Sequence, residues 1–477
     1  MWDSLIQVLR KEATILRRDG RAPWLLAVLG GLVLAAALSQ ALIVRSNLAA
    51  VDAAARAEHS RWLAQPEKYA HSAAHYGIWA FRRAAPLSIA DPGVTAYLGS
   101  AVWMEAHLQN EALYRPSQDA GLLERFGALS PAVVVGAIAP LFLLLLGYGA
   151  VSREREQGTW SLTRIQAASL DSIVAGKVLA IASAVGVALI PGLLVVTVSS
   201  IVLASPDHGL TILTATGRVL LWLLAVAVYL LLISSLVVAL SSATRSSAMA
   251  LGIGLAAWTV GVLLMPRFAA EAAARVAPLQ TQQQWTLALR RDLYDPAGEA
   301  QLESLKLQTL QRHGAARVEE LPVNWVGVRL QAGEERGNAV FDAQWGALFE
   351  QIARQQTLAR SGGLASPWLA FRSLSQELAG SSFAAHRDFL QQAEVQRRRI
   401  QRILNEDIQG KLERDGQRPP SGRDVWDRVP EFRSQVTPLA AQAGSWRGPL
   451  LQLLAWAGAA FALVGVAARR AQRGAAT

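Results

Sequence analysis

The chain has 477 residues, of which 52% are apolar and only 17% are charged, and its net charge is +10. Soluble domains carry about 25% charged residues, so this composition excludes an ordinary water-soluble protein. The sequence contains no cysteine, which excludes disulfide scaffolds, thiolate metal sites and cysteine nucleophiles.

The first 22 residues predict a helix that lies on a membrane surface. Trp2, Leu5 and Leu9 recur at helical spacing, whereas Lys11 belongs to the polar side. We therefore expect residues 1–22 to form an amphipathic interfacial helix in front of the first membrane span.

Six apolar segments have about the 20 residues that a spanning helix needs. They are residues 24–44, 129–151, 178–204, 219–240, 248–265 and 449–468. The charged leader and the apolar core of the first segment are both too long for a cleaved signal peptide, which favours an anchor. The fifth segment is the shortest and contains Gly252, Gly254 and Gly261, so it could be broken or partly re-entrant.

The distribution of charge predicts which polar segments lie in the cytoplasm. Basic residues exceed acidic ones in four short segments: 1–22, 152–177, the turn that contains Arg245, and 469–477. Because short cytoplasmic segments carry the basic excess of membrane proteins, we expect both termini inside and residues 45–128 and 266–448 outside. The basic charge is then a signature of topology, and we expect no nucleic-acid partner.

The two outer segments are expected to be mainly helical. Residues 45–128 are predicted helical at both ends, and residues 266–448 are long enough for a folded domain. Helical periodicity in the longer segment predicts three helices, at Glu299–His313, Asp342–Arg360 and His386–Asp415. A β-rich patch is predicted at Asn324–Leu330.

Residues 152–177, between the second and third spans, are the most informative part of the sequence. They begin Ser152-Arg153-Glu154-Arg155-Glu156-Gln157-Gly158-Thr159-Trp160-Ser161-Leu162, and Gly176-Lys177 leads into the third span. The pattern Glu-Arg-Glu-x-Gly-Thr, followed about 15 residues later by Gly-Lys, resembles the membrane subunits of ABC-2-type exporters. The six spans and the amphipathic N-terminal helix are part of the same resemblance.

The resemblance implies an α-helical polytopic membrane protein with six transmembrane helices of ABC-2, type V exporter-like, architecture. To this the chain adds a large, mainly helical periplasmic domain. The resemblance also implies that the 152–177 segment forms a coupling helix, which inserts into a groove on a cytoplasmic ATPase. Carried over residue by residue, the ATPase-coupling positions are Glu154, Arg155, Glu156, Gly158 and Thr159.

The chemistry of these residues suits that role. Glu154 and Glu156 can accept hydrogen bonds from an ATPase or pair with its basic side chains. Gly158 is expected to end a first short helix, and Thr159 to cap the element that follows. Trp160 and Leu162 are expected to anchor the segment to the bilayer surface or to the partner.

The implied function is that of the permease subunit of an ATP-driven exporter in a bacterial inner membrane. Two such subunits, identical or related, would form the substrate pathway, and a cytoplasmic ABC ATPase dimer would drive it. The chain itself is predicted to be non-catalytic and to need no cofactor, because it lacks the phosphate-binding loop Gly-x-x-x-x-Gly-Lys-Ser/Thr. ATP would be bound by the partner subunit.

Two alternatives stay open. In the first, the chain is an ABC-type mechanotransmission subunit, which moves its periplasmic domain or a periplasmic partner without transmembrane transport. In the second, it is a membrane-anchored periplasmic enzyme or receptor, but residues 266–448 contain no recognisable catalytic motif.

Histidines in the first outer segment raise the question of a metal. His71 and His75 stand four residues apart, with His59 before them and His107 after them. Two histidines at this spacing can share a metal ion on one helix face. Because the sequence assigns no third ligand, and the alanine and tyrosine neighbours indicate packing, we predict no metal site.

Overall fold

A computed structural model describes residues 2–119, 129–166, 169–413 and 417–473. Within these residues, six helices are long and apolar enough to cross a membrane: Ala22–Leu63, Pro131–Glu156, Leu170–Val202, Ile212–Ala243, Ser247–Val276 and Ala443–Arg470. In chain order they are called the first to sixth span. The predicted six-span helical fold is therefore confirmed. Residues 120–128, at the end of the first predicted outer segment, and 474–477, in the predicted tail, lie outside the described residues.

The N-terminal helix, Trp2–Arg18, packs against the beginning of the third span. Val8 is buried at this contact, and a Cβ atom added to Gly176 would lie 2.6 Å from the Val8 side chain. Ile6 and Ile15 are exposed on the same helix. The contact is thus close enough to require glycine in the third span.

The helix of the first span continues past residue 44 into the segment that was predicted helical at its beginning. It is a single 42-residue helix, and at 1.5 Å per residue it is about 63 Å long. Since the hydrocarbon core of a bilayer is about 30 Å thick, roughly half of this helix stands outside it. At its far end Trp62 is fully buried and its Nε1 donates to the carbonyl oxygen of Trp426, at 3.1 Å.

The first and third spans approach each other through glycines. A Cβ atom at Gly30 would lie 2.8 Å from the carbonyl oxygen of Ala188, and one at Gly192 would lie 2.7 Å from that of Val33. Small residues let the backbones of membrane helices come into direct contact. These two positions therefore set the distance between the spans.

The second span contains a π turn, Val134–Ile138, just before Pro140. Proline lacks an amide hydrogen and its ring collides with the carbonyl four residues earlier, which is Gly136. That carbonyl oxygen instead accepts a hydrogen bond from the Tyr229 hydroxyl of the fourth span, at 2.7 Å. The fourth span thereby stabilises the π turn of the second span.

The fifth span has a similar irregularity. A π turn at Thr259–Leu264 precedes Pro266, and the Ser366 hydroxyl donates to the carbonyl oxygen of Gly261, at 2.7 Å. The helix otherwise runs without a break from Ser247 to Val276. The fifth span, which is the shortest of the six predicted spans, is thus a continuous helix with one π turn.

Part of the long predicted outer segment packs among the spans. In the helix Pro367–Ala379, the Phe371 ring stacks on Tyr229 with centroids 4.8 Å apart, and Ser375 accepts a 2.9 Å hydrogen bond from Trp222 Nε1. Tyr229 and Trp222 belong to the fourth span, so this helix packs against the spans. We call Pro367–Ala379 the re-entrant helix, because the chain returns here from the polar residues to contacts with the spans.

The remaining polar residues on that side, 64–119 and 277–442 apart from the re-entrant helix, form what we call the polar domain. It contains an antiparallel sheet in the order β1-β2-β3, with strands Ile78–Phe81, Ala101–Met104 and Gln109–Leu113. Its helices are Ala70–Tyr76, Pro116–Asp119, Gln282–Leu293, Ala297–His313, Trp325–Ser361, Phe383–Gln409 and Arg423–Trp426. The sheet lies in the middle of the 45–128 segment, which was predicted helical at its two ends.

The β-rich patch predicted at Asn324–Leu330 is wrong. These residues begin the 37-residue helix Trp325–Ser361, which also includes the predicted helix Asp342–Arg360. Asn324 caps the helix, because its side-chain oxygen accepts a hydrogen bond from the Val326 amide at 2.9 Å. The capping asparagine, rather than the β-branched valines after it, decides the local structure.

The other two predicted helices are present. Ala297–His313 contains the whole of the predicted Glu299–His313. The helix predicted from His386 begins at Phe383 and ends at Gln409, earlier than its predicted end at Asp415, a residue outside those the structure describes.

His386 makes the polar domain sensitive to acid. Its side chain is buried between Phe383 and Phe389, and burial, helped by the charges of Arg82 and Arg115, lowers its pKa to about 3. An unfolded histidine titrates near 6.5, so the stability held by the neutral ring declines as the pH falls from about 6.5 towards 3. Between pH 7 and pH 5 we expect His386 to account for a loss of about 2 kcal/mol.

Urea unfolding of the purified chain at the two pH values measures this loss. The His386→Phe variant should lose less stability over the same interval, whereas His313→Phe, at an exposed helix end, should behave as the unaltered chain does. Equal losses in His386→Phe and the unaltered chain would contradict the assignment.

Candidate functional site

The second span ends in a short helix, Ser152–Glu156, and a second short helix, Trp160–Gln166, follows before the third span. Gly158 stands between them with φ +71°, a backbone conformation that favours glycine. The Thr159 hydroxyl donates to the carbonyl oxygen of Glu154, at 3.3 Å. Gly158 thus lies where the first helix ends, and Thr159 closes the turn that follows.

Glu154 points into the protein, where it forms an ion cluster with the N-terminal helix and the third span. Lys177 is 1% exposed, and its Nζ donates to Glu154 Oε1 at 2.8 Å and to Glu12 Oε1 at 2.6 Å. Lys11 Nζ also donates to Glu154 Oε1, at 2.7 Å. We call Lys11, Glu12, Glu154 and Lys177 the Lys177 cluster.

The other two charged residues of the motif hold the ends of the fourth and fifth spans. Arg155 donates to the carbonyl oxygens of Ser242, at 2.8 Å, and Thr244, at 2.5 Å. Glu156 accepts hydrogen bonds from the backbone amide and the hydroxyl of Ser247, both at 2.9 Å. A carboxylate at the first residue of a helix is favoured by the helix dipole.

The three charged side chains therefore connect the short helix Ser152–Glu156 to four elements of the same chain. These elements are the N-terminal helix and the third, fourth and fifth spans. Glu154 and Arg155 are only partly exposed, whereas Glu156 is exposed beside the fifth span. We call this arrangement of hydrogen bonds and ion pairs the bracket.

The outward side of the segment is apolar. Leu162 and Ile165 are 60% and 82% exposed, whereas Trp160 is buried. Residues 157–159 are exposed beside them. We call residues 157–159 with Leu162 and Ile165 the exposed face. Paired exposed aliphatic side chains on a short helix are typical of a contact with another protein or with a membrane.

A groove of about 700 Å³ opens next to this segment, between the N-terminal helix and the first two spans. Asp19, Arg153 and Glu154 line its polar end, and Trp24 and Phe142 belong to its apolar part. The groove is amphipathic and begins at the same side of the molecule as the exposed face.

Sequence reasoning did not find several members of this site. Lys177 was recognised only as part of the Gly-Lys pair that leads into the third span, and Lys11 only as part of an amphipathic helix. A signal was present, since a lysine directly followed by glutamate on a helix can pair with two different partners. Which partners those are depends on contacts across more than 140 residues of chain.

The family described as ABC-2 family transporter protein matches residues 6–315, more than half of the chain. The chain belongs to the ABC-2 transporter family. An ABC-2 permease is the membrane component of an ABC exporter, so the predicted resemblance is confirmed, and so is the predicted permease class.

Most of the polar domain matches a second family. This family, described as a domain of unknown function (DUF3526), covers residues 276–435. The re-entrant helix and the helices that carry Glu334 and Arg397 belong to this region. No curated protein matches the ABC-2 permease described here.

Proposed function

We propose that this chain is the permease subunit of an ATP-driven exporter and that the exposed face binds a cytoplasmic ABC ATPase. The observation that carries the proposal is the bracket behind that face. Leu162 and Ile165 point outward, while Glu154 holds the N-terminal helix and the third span through Lys177. A motor can move a membrane domain only through an element that is rigidly attached to it, and this segment has that attachment.

In this proposal the residues of the segment have different roles. The exposed face contributes the binding energy, since burying aliphatic side chains is favourable. Glu154, Arg155 and Glu156 act as positioning residues, which pass a movement of the segment to the spans. Gly158 and Thr159 form the turn between the two helices and belong to the contact surface. The chain needs no cofactor, and ATP is bound by the partner subunit.

The same proposal orients the protein in a bacterial inner membrane. With the 152–177 segment and the N-terminal helix in the cytoplasm, both termini are cytoplasmic and the polar domain is periplasmic. The basic excess of the short segments on the cytoplasmic side supports this orientation.

A second permease subunit, identical or related, is part of the proposed assembly. The fifth span supports it, because only 6% of its apolar window is buried within the chain. Its exposed side chains include Ile253, Val260 and Leu263. In the assembly this span meets lipid or the partner permease, and the substrate pathway forms between the two subunits.

The chain lacks cysteine, so a single introduced cysteine tests the orientation directly. A cysteine in Gln157→Cys should react with a membrane-impermeant maleimide in inverted vesicles but not in intact spheroplasts. Added ATPase should protect it. A matched variant, Gln308→Cys on an exposed helix of the polar domain, should show the opposite sidedness. Labelling of Gln157→Cys from outside would overturn the proposal.

One observation favours the mechanotransmission alternative. The first span is an uninterrupted 42-residue helix, and its far end is joined to the polar domain through Trp62 and Trp426. Such a helix can carry a movement from the cytoplasmic side to the periplasm. Inverted vesicles that hold the complete complex separate the two functions. ATP-dependent uptake of a compound from cell extract indicates transport, and an ATP-dependent movement of the polar domain without uptake indicates transmission.

A further inference from the structure

Three histidines meet on the surface of the polar domain. His71 and His75 lie on the helix Ala70–Tyr76, and His107 lies in the turn between β2 and β3. One ring nitrogen from each lies within 4.8 Å of the other two, and the Nε2 atoms of His71 and His75 are 3.2 Å apart. Nitrogen ligands that share a tetrahedral Zn²⁺ ion at about 2.1 Å are about 3.4 Å from each other.

Two features of the backbone hold His107 beside the other two histidines. The amide of Ala106 donates to the carbonyl oxygen of Ala74, at 3.1 Å, which ties the turn to the helix of the other two histidines. His107 itself has φ +65°, in the left-handed region that residues other than glycine rarely adopt. Residues held in such a conformation cluster at functional sites.

A buried carboxylate orients the His107 ring. Glu334 Oε1 is 2.6 Å from His107 Nδ1, and the Glu334 side chain is 4% exposed. Arg397 holds the other Glu334 oxygen, at 3.2 Å. With Nδ1 occupied by the carboxylate, the Nε2 atom of His107 is left for a ligand. Metal-binding histidines characteristically donate their second ring nitrogen to a carboxylate in this way.

The ligand type of the cluster suits a transition-metal cation. A neutral imidazole offers a nitrogen lone pair to a metal, whereas an imidazolium does not. Imidazole nitrogens suit zinc, copper and nickel.

We propose that His71, His75 and His107 bind one divalent transition-metal ion, with Zn²⁺ as the simplest case, and that Glu334 is the positioning residue for His107. His75 and His107 are exposed, so an ion can reach the site from solvent. Three protein ligands leave a further coordination position for water or for an incoming ligand. The site also links the two outer segments of the chain, since the histidines belong to the first and Glu334 to the second.

Zinc binding by the full-length protein tests the site. The chain is purified in detergent with a tag that contains no histidine, stripped with chelator, and dialysed against buffered Zn²⁺. We expect one tightly bound ion per chain. Loss of a residue that orients a metal ligand weakens metal binding by about 10- to 100-fold. His75→Gln removes an exposed ligand itself, so we expect a larger loss of Zn²⁺ affinity. His313→Gln, an exposed histidine far along the sequence, should leave binding unchanged.

Glu334→Gln separates orientation from ligation. All three ligands remain, so we expect a loss of about 10- to 100-fold in Zn²⁺ affinity. Because Glu334 also pairs with Arg397, metal-free thermal unfolding of the same sample must be compared with that of the unaltered chain. Co²⁺ in place of Zn²⁺ gives a second readout, since its visible absorption reports nitrogen ligation independently of stability.

Two results would overturn the site. One is that the unaltered chain and His75→Gln bind Zn²⁺ equally, which would make the cluster an ordinary set of hydrogen-bonded imidazoles. The other is that Co²⁺ shows the same spectrum in both. Neither result depends on an ATPase, so the test is independent of the proposed export function.

Discussion

Replacing Leu162 and Ile165 together with aspartate is expected to release the cytoplasmic ATPase while the permease stays folded. The two side chains are 60% and 82% exposed in the chain by itself, so their loss removes little internal packing. Burying an aliphatic side chain is worth about 1.5–3 kcal/mol, so losing both costs about 3–6 kcal/mol of binding free energy. Since 1.4 kcal/mol is tenfold in affinity, the complex should weaken by at least about 100-fold.

Co-purification of the ATPase with the tagged permease measures this effect, and thermal unfolding of the permease checks its fold. Leu307→Asp is the matched control, because Leu307 is 61% exposed on a helix of the polar domain. It should keep the ATPase. If the double variant binds the ATPase as tightly as the unaltered chain does, the exposed face is not the docking surface.

Replacing Lys177 with methionine is expected to cause the largest loss of stability. Lys177 is 1% exposed and contacts both Glu12 and Glu154, so its removal leaves two partly buried carboxylates close together. Lys11 can still pair with Glu154, but it is itself 40% exposed and cannot replace a buried cation. Removing one partner of a buried ion pair costs about 3–5 kcal/mol.

Thermal or denaturant unfolding in detergent measures this loss. Lys306→Met is the matched control, because Lys306 pairs with Glu303 on the surface, where an ion pair contributes about 0–1 kcal/mol. Adding Glu154→Gln to Lys177→Met should restore part of the stability, because it removes one of the two stranded charges. A double variant no more stable than Lys177→Met would show that the two side chains do not interact.

The two variants probe different parts of the proposed mechanism. Changing Leu162 and Ile165 removes the contact with the motor, whereas changing Lys177 loosens the bracket behind the contact. In the first case ATP hydrolysis by the free ATPase should continue without the permease. In the second, an ATPase still bound at the exposed face should drive the spans less effectively.

Local sequence was sufficient to find the six spans and the family motif at residues 152–159. A membrane helix must satisfy its backbone hydrogen bonds internally, so each span needs an apolar run of fixed minimum length. For the same reason even the shortest run, with three glycines, was recognisable. The Glu-Arg-Glu-x-Gly-Thr motif then located residues 152–159 and pointed to the family, which the match over residues 6–315 confirms.

The same reasoning was insufficient where distant residues decide the structure. The beginning of the 45–128 segment was predicted helical, but only the structure shows that it forms one continuous helix with the first span, Ala22–Leu63. The helix Pro367–Ala379 was not predicted as a separate element of the 266–448 segment. Its place among the spans depends on partners such as Trp222 and Tyr229, which are about 150 residues away.

The amino-acid sequence by itself determined the number of spans, the family and the position of the family motif at residues 152–159, since all three depend on composition and spacing within a short stretch. Only the tertiary structure decided that Glu154 contacts Lys177, and that His107 joins His71 and His75. A side chain's partner is set by the packing of whole helices and turns. Periodicity along the chain reports which face a residue occupies, but it contains no information on which distant element covers that face.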